Sequence, residues 1–385
     1  MGDMVLIPGT VRPDYAGGGI LNLISSIQSH FGLKSKHDPL HAPIPFQKKA
    51  VLLIVDGLGF EQLERHRQQG DLGAADHFQE VRRLTSVFPS TTMAALTTLH
   101  MGAPPAETGW LSGCLWLQEL GTIVNLIRNK DEFTRQGVDL GFMRKTRSIY
   151  SRLDEARVRS TIIFPEAFEG SFLSNWHHEG SHQQGYAFTP STIPTLVQNA
   201  LQHSDYVVIY YPHYDDMCHR YGPESQEARD EARLLNTILG GVMHRLPPHT
   251  TLMLTADHGH KTISGNIWLD GHLDLHPHLL RPVSGDKVSR YVDVKPGHEA
   301  EVQAYLSRWA DVVSSHQLWE EGYFGGDPAD LQFLTRTGTL MAHARDDMEL
   351  NWSYHPEVLQ IKGWKGNHGG LSSTEMWVPL GIFNS

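Results

Sequence analysis

Cysteine is nearly absent. Cys114 and Cys218 are the only two, so no disulfide framework is available and the hydrophobic core must hold the chain together. Basic clusters are missing as well: lysine and arginine run no longer than pairs such as Lys48-Lys49 and Arg82-Arg83. The formal charge is −11, from 43 acidic against 32 basic residues. Nucleic-acid polymers are bound through a basic stripe, so none is expected as a partner. No stretch approaches the ~20 apolar residues of a membrane span, and the segment from Met1 to Thr10 has neither the basic nor the apolar part of a secretion leader. The expectation is a soluble, cytoplasmic protein with no membrane partner.

What the chain does have is histidine, 24 in 385 residues, and apolar runs that end in chemistry. The run from Ala50 to Val55 is continuous rather than alternating, as a strand buried on both faces of a parallel sheet requires, and it stops at Asp56-Gly57. Shorter strands are expected at 83–88, 160–164, 206–211 and 251–255, with helices at 20–32, 92–101, 191–203 and 224–245 between them. Strand–helix alternation over this length predicts a three-layer α/β/α sandwich with a mostly parallel central sheet. From about 265 to 355 the texture changes, with a strand at 288–294, a helix at 297–311 and a glycine-rich stretch at 321–326. The reading is an α/β catalytic core, 1–264 and 356–385, carrying a smaller inserted cap, 265–355.

In an open α/β sheet, ligands sit beyond the carboxyl ends of the strands, and chemistry-bearing residues gather there. Asp56 follows the first strand; a helix N-cap would use the same residue type. Ser90, Thr91 and Thr92 open the helix 92–101. Hydroxyls there cap the helix, border an anion site, or supply a nucleophile, and spacing leaves all three open. Asp215 and His219, four apart, share one face of a helical turn and can converge on one ion. Asp216 is the rival acid at a poorer spacing, and Cys218 suits a small buried hydrophobe. Asp257 and His258 lie together at another strand end, with His260 placed to support them. His368 is flanked by glycines that allow close backbone approach. Six Asp/His ligand candidates around one hydroxyl match a two-metal phosphoester hydrolase, in which paired cations hold the attacking and leaving oxygens.

These residues resemble the alkaline phosphatase superfamily, and within it the nucleotide pyrophosphatase/phosphodiesterase branch. Asp56-Gly57, the Pro-x-x-Thr of Pro89 to Thr92 running into a helix closed by Gly102, Asp215-x-x-x-His219 with Gly222-Pro223, Asp257-His258-Gly259 and His368-Gly369 carry the resemblance. It spans the core and little of the cap. It implies one ion held by Asp215, His219 and His368, and a second by Asp56, Thr92, Asp257 and His258. It also implies Thr92 as catalytic nucleophile, passing through a phospho-threonine intermediate. Two divalent ions are expected, zinc first, with manganese and iron as the other candidates. The expected substrate is a small phosphoester, a nucleotide among the options, and a diester before a monoester. A monoesterase or phosphonate hydrolase on the same fold is the alternative, and a metal-binding protein without turnover is the reading from another class. Sulfatases of the superfamily use a Cys/Ser-x-Pro-x-Arg context, which Thr92 lacks. Two positions depart from the branch: Ala95 stands where an Asn donor to a phosphoryl oxygen is expected, and Cys218 where Gly is common. Met93, Trp110 or the cap are expected to receive a diester's uncharged ester group.

Overall fold

The computed structural model describes residues 7–187, 189–355 and 363–385. Most of the segment examined for a leader, and the expected return to the core at 356, lie outside the described residues.

Seven strands form the central sheet: β1 (Lys49–Val55), β2 (Glu80–Thr85), β3 (Ser160–Pro165), β4 (His182–Tyr186), β5 (Tyr206–Tyr211), β6 (Thr250–Thr255) and β7 (Trp377–Asn384). Their spatial order is β2-β7-β6-β1-β5-β3-β4. The run from β6 to β4 is parallel throughout, and β7 is antiparallel to both its neighbours. Helices flank this sheet, so the chain has the mixed α/β sandwich its sequence predicts. Leu52, Leu53, Ile54 and Val55 are buried, each side chain stabilising by roughly 1.5–3 kcal/mol on the usual area scale.

Register explains where the site forms. Ile54 pairs with Thr255 on one side and Val55 with Tyr211 on the other. The central strand and its two neighbours therefore end level, and Asp56, the segment after Tyr211 and the segment after Thr255 emerge at one edge. Neighbouring strands lie about 4.8 Å apart, close enough for short side chains from three strand ends to meet. Two helices complete that edge: α1 (Thr92–Met101), which ends at Gly102 with φ +64°, and α2 (His213–Tyr221).

A second, four-stranded antiparallel sheet joins Ser284–Gly285, Ser289–Val292, Leu340–Ala344 and Ala310–Ser314. The chain leaves the core at Lys261–Thr262 and is back at Gly366–Asn367, and these two segments pair antiparallel with each other. The helix expected over 297–311 is split: Glu299–Leu306 is helical and Ala310–Ser314 is a strand. The glycine-rich stretch is packed rather than loose, with Tyr323 and Phe324 fully buried against Phe88.

Behind α1 lies a buried histidine cluster. His100 Nδ1 meets the Tyr150 hydroxyl at 2.8 Å, His177 Nε2 meets Thr97 Oγ1 at 3.1 Å, and the two imidazoles stack at 5.0 Å. Burial pushes His177 down to about 3, His178 alongside lends a further push, and His100 is held well below its usual value. A histidine whose folded pKa is depressed contributes stability that is present above about pH 6.5 and lost as pH falls. His177→Gln, neutral at every pH, is therefore expected to show a stability difference from wild type that changes in its own favour between pH 7 and 5. Denaturant midpoints measured across that range check it, and a constant difference would count against it.

Candidate active site

The seven residues singled out from the sequence come together at the level strand ends. Asp56 directly follows β1, and Asp257 with His258 follow β6. Asp215 and His219 lie on α2, and Thr92 is the first residue of α1. His368 sits just beyond the Gly366–Asn367 pairing segment. His219 Nε2 lies 3.4 Å from Asp215 Oδ2 and 3.2 Å from His368 Nε2. His258 Nε2 lies 3.1 Å from Thr92 Oγ1, 3.2 Å from Asp257 Oδ2 and 3.4 Å from Asp56 Oδ1. The His258 and His368 rings stack at 3.6 Å between centroids and bring the two groups side by side.

Each of the three imidazoles is fixed by its other nitrogen. His219 Nδ1 donates to the Gly366 carbonyl at 2.9 Å, His368 Nδ1 to that of Ser90 at 3.1 Å, and His258 Nδ1 to that of Gly259 at 3.2 Å. This arrangement sets the tautomer and turns each Nε2 lone pair inward, as a metal-binding histidine requires. Burial holds His258 down at about 3 and His219 at about 4, and His368 lies well below its usual value, so all three are neutral at pH 7.

The carboxylates are crowded. Burial, then the charges of Asp257 and Asp215, push Asp56 well above the usual carboxylate range. Burial pushes Asp257 up to about 7. Burial also acts to raise Asp215, but the surrounding imidazoles of His219, His260 and His368 pull harder and hold it low. Asp56 Oδ1 and Asp257 Oδ2 are buried with no hydrogen-bond partner. Orphaned buried carboxylate oxygens facing inward imidazole lone pairs are costly and are the donor set that divalent cations satisfy. The residues fit the two-ion expectation.

The structure adds participants that the sequence did not mark. The Tyr210 hydroxyl donates to Asp56 and the Ser86 hydroxyl to the Asp257 carbonyl; both come from strand-like stretches that read as core. His260, which the sequence does mark for a supporting role, donates from Nε2 to Asp215 Oδ1 at 2.7 Å. Glu349, fully buried, accepts from Asn367 Nδ2 at 2.7 Å, and Asn367 Oδ1 in turn accepts from the His368 amide at 2.9 Å.

Several expectations need correction. Ala95 is fully buried and belongs to the main core cluster, so an Asn there would set an amide among apolar side chains. Trp110 is fully buried and packs on Trp176 at 5.1 Å, away from solvent, while Met93 is buried beside Gly113. The apolar surface at the rim is instead Trp364, 37% exposed and 3.8 Å from the His219 ring, and Ile127 beside Gly113. Thr91 occupies the N-cap position of α1 but its side chain makes no capping bond. Asp216 pairs with Arg220 in the solvent, and Cys218 lies in the core. No lysine or arginine lies between Thr92 and Met101, but the second sheet supplies Lys287, its Nζ 4.9 Å from the Trp364 ring.

A half-buried nucleophile candidate flanked by two candidate metal-ligand sets at the carboxyl edge of an α/β sandwich points to a phosphoester-hydrolase type of protein. The family model for type I phosphodiesterase / nucleotide pyrophosphatase matches residues 50–371, and the chain belongs to that family, within the alkaline phosphatase superfamily. Among curated proteins, an uncharacterized pyrophosphatase/phosphodiesterase of Schizosaccharomyces pombe is 23% identical over 245 residues, 60% of this chain. The chain spans about half the length of that relative, 49%. Among solved structures, murine ectonucleotide pyrophosphatase / phosphodiesterase 5 matches with a TM-score of 0.66 at 16% identity, covering 88% of each chain. Phosphonoacetate hydrolase from Sinorhizobium meliloti, in complex with phosphonoformate, matches at 0.63 and 18% identity, covering 88% of this chain and 90% of its own. These structures share the fold. Among the described residues no helix is long and apolar enough to cross a membrane.

Proposed function

We propose that the chain is a two-metal phosphodiesterase acting through a covalent phospho-threonine. The observation that carries this reading is that His258 Nε2 meets the Thr92 hydroxyl and the unpartnered oxygens of Asp56 and Asp257, with the inward Nε2 atoms of His219 and His368 paired beside them. Asp215, His219 and His368 would hold one cation, and Asp56, Thr92, Asp257 and His258 the other. Bound there, divalent cations supply Lewis-acid stabilisation of charge on the phosphoryl oxygens.

The chain's own groups do the rest. Thr92 Oγ1, presented at the start of a buried helix, attacks phosphorus; the new P–O bond forms as the bond to the ester oxygen breaks, and the alcohol leaves with a proton. Water then cleaves the phospho-threonine and restores the hydroxyl. The free amides at the helix start favour the negative phosphoryl group. Tyr210 and Glu349 act by holding Asp56 and His368 in position. A solved relative of the same fold, murine ectonucleotide pyrophosphatase / phosphodiesterase 5, is known as an inactive threonine-to-alanine variant in complex with AMP, which supports both the nucleophile and a nucleotide-type substrate. We infer also that residues 265–355 form the inserted cap, because the paired segments at 261–262 and 366–367 bring its two crossings together.

Diesters are expected to be hydrolysed at least tenfold better than monoesters in kcat/KM, with p-nitrophenyl methyl phosphate and p-nitrophenyl phosphate as the matched pair. A monoester's second charged oxygen needs a cationic or donor partner of its own, and Lys287 is occupied by Glu349 at 3.4 Å. Monoesters preferred by tenfold would overturn the diesterase assignment in favour of a monoesterase.

A further inference from the structure

The tight turn between Ser284–Gly285 and Ser289–Val292 reaches from the second sheet to the catalytic edge and places Asp286 there. A methyl group at Gly369, the residue after His368, would lie 2.8 Å from Asp286 Cβ. Asp286 Oδ1 accepts the Gly113 amide at 3.2 Å, and the Thr91 hydroxyl, one residue before Thr92, lies near enough to favour the charged carboxylate. The side chain is thus bracketed by the immediate neighbours of Thr92 and His368.

Its other oxygen is left over. Asp286 Oδ2 is buried and makes no well-formed hydrogen bond, although the Ser112 and Thr91 hydroxyls lie close to the carboxylate. Lys287 in the turn and Arg290 in the following strand do not neutralise it by contact. Lys287 turns to Glu349 and Trp364, and Arg290 is spent on the Leu350 and Gly285 carbonyls, both at 2.7 Å, and on the Tyr354 hydroxyl. An aspartate with a structural role alone is expected to have both oxygens paired. Burial pushes this carboxyl up to about 6, against the pull of Ser112, Gly113, Arg290 and Thr91, so it carries charge at and above neutral pH.

We propose that Asp286 is a specificity-determining residue whose unpartnered carboxylate excludes dianionic phosphoryl groups, those of monoesters and phosphonates, while admitting the monoanion of a diester. The inference rests on the reading of this edge as a phosphoryl-transfer site. Like charges a few ångströms apart in a partly desolvated site repel by several times what water would permit. A diester carries one negative charge on its phosphoryl group and a monoester two, so a fixed carboxylate penalises the monoester about twice as heavily. Asp286 acts without touching the breaking bond, and it reaches the site from the second sheet, where the motifs of the core leave no trace of it.

The test is Asp286→Asn. Asparagine keeps the shape and its Oδ1 can still accept the Gly113 amide, so the substitution removes charge and little else. Steady-state kinetics on p-nitrophenyl phosphate, p-nitrophenyl phenylphosphonate and p-nitrophenyl methyl phosphate give the readout, with the thermal midpoint as a check on folding. The expected result is a rise of about tenfold or more in kcat/KM for the monoester, carried mainly by KM, with the methyl diester and the singly charged phosphonate ester within threefold of wild type. Asp286→Glu, which retains the charge, is expected to keep the monoester rate low. Rates that fall together on all three substrates, or a monoester rate that does not move, overturn the inference. A wild-type enzyme that prefers monoesters would count against the diesterase reading instead, because the change on Asp286→Asn is scored independently of that preference.

Discussion

Thr92→Ala is expected to lower kcat/KM on phosphodiesters by about 10⁴-fold or more, the scale on which loss of a covalent nucleophile is felt. The fold should survive, because Thr92 is the first residue of α1 and its hydroxyl meets only His258 among the hydrogen-bonding groups of the described residues. Thr92→Ser keeps a primary hydroxyl in place and is expected to retain measurable turnover. Thr91→Ala is expected to be mild, and for a reason other than capping: the Thr91 side chain makes no capping bond, and its loss removes one hydroxyl near Asp286. Trapping radiolabelled phosphate on the protein under acid quench, in wild type and not in Thr92→Ala, would identify the covalent step. Activity that survives in Thr92→Ala and dies in Thr91→Ala would place the nucleophile one residue earlier.

Removing divalent cations is the second large effect. Chelation is expected to abolish turnover, and zinc or manganese to restore it. It should also lower thermal stability, since Asp56, Asp257 and Asp215 crowd one buried edge and repel one another without a cation. A ligand held at a thousandfold over its Kd stabilises by about 4 kcal/mol, and a shift of that size is easily read in a thermal scan. Elemental analysis should give two equivalents per chain. The half-exposed group of His278, His298 and Glu301 on the second sheet's side offers three ligand atoms of its own, so the count is best made in a His298→Ala background. Clearly fewer than two equivalents after zinc is supplied, or activity indifferent to chelation, would sink the two-ion reading.

Much of this architecture is legible in the sequence because the central strands are buried on both faces. Continuous runs such as Ala50 to Val55 and Tyr206 to Tyr211 leave no ambiguity of period, and each delivers its acid at its carboxyl end. Edge and antiparallel strands are harder. His182–Tyr186 is an exposed edge whose His-Gln-Gln-Gly composition carries no apolar signal. Trp377–Asn384 contains Pro379 and Gly381, which read as breakers, yet it lies between β2 and β6 and pairs with both. The strand expected at 83–88 is found at 80–85, since pairing with Trp377–Ile382 fixes that register, while the residues after Thr85 turn into the site. The helix expected over 297–311 stops early because the Ala310-Asp311-Val312-Val313 stretch is claimed by the second sheet.

The candidate site shows the same division. Asp-x-x-x-His, Asp-His-Gly and a glycine-flanked His are local patterns, so those residues can be picked out before folding. Tyr210, Glu349 and Asp286 have no local pattern. Each matters only through a partner from a distant stretch: Asp56, Asn367 and the Gly113 amide. The expectation for Ala95 has a related cause: a position three residues on along a helix lies only about 60° from the starting side chain, so spacing brings it towards the site, and only tertiary packing sets it among core side chains.

The second hydrophobic cluster has a consequence for how substrate gets in. It is built jointly from the catalytic part, through Phe88, Trp110, Leu371 and Met376, and from the second sheet's region, through Tyr291, Leu318, Phe333 and Met341, all buried. Two bodies that share a core cannot swing apart without exposing it, so the second sheet is no hinged lid. The chain should therefore melt in one cooperative transition. Entry and exit then fall to small movements of exposed rim side chains such as Trp364 and Ile127.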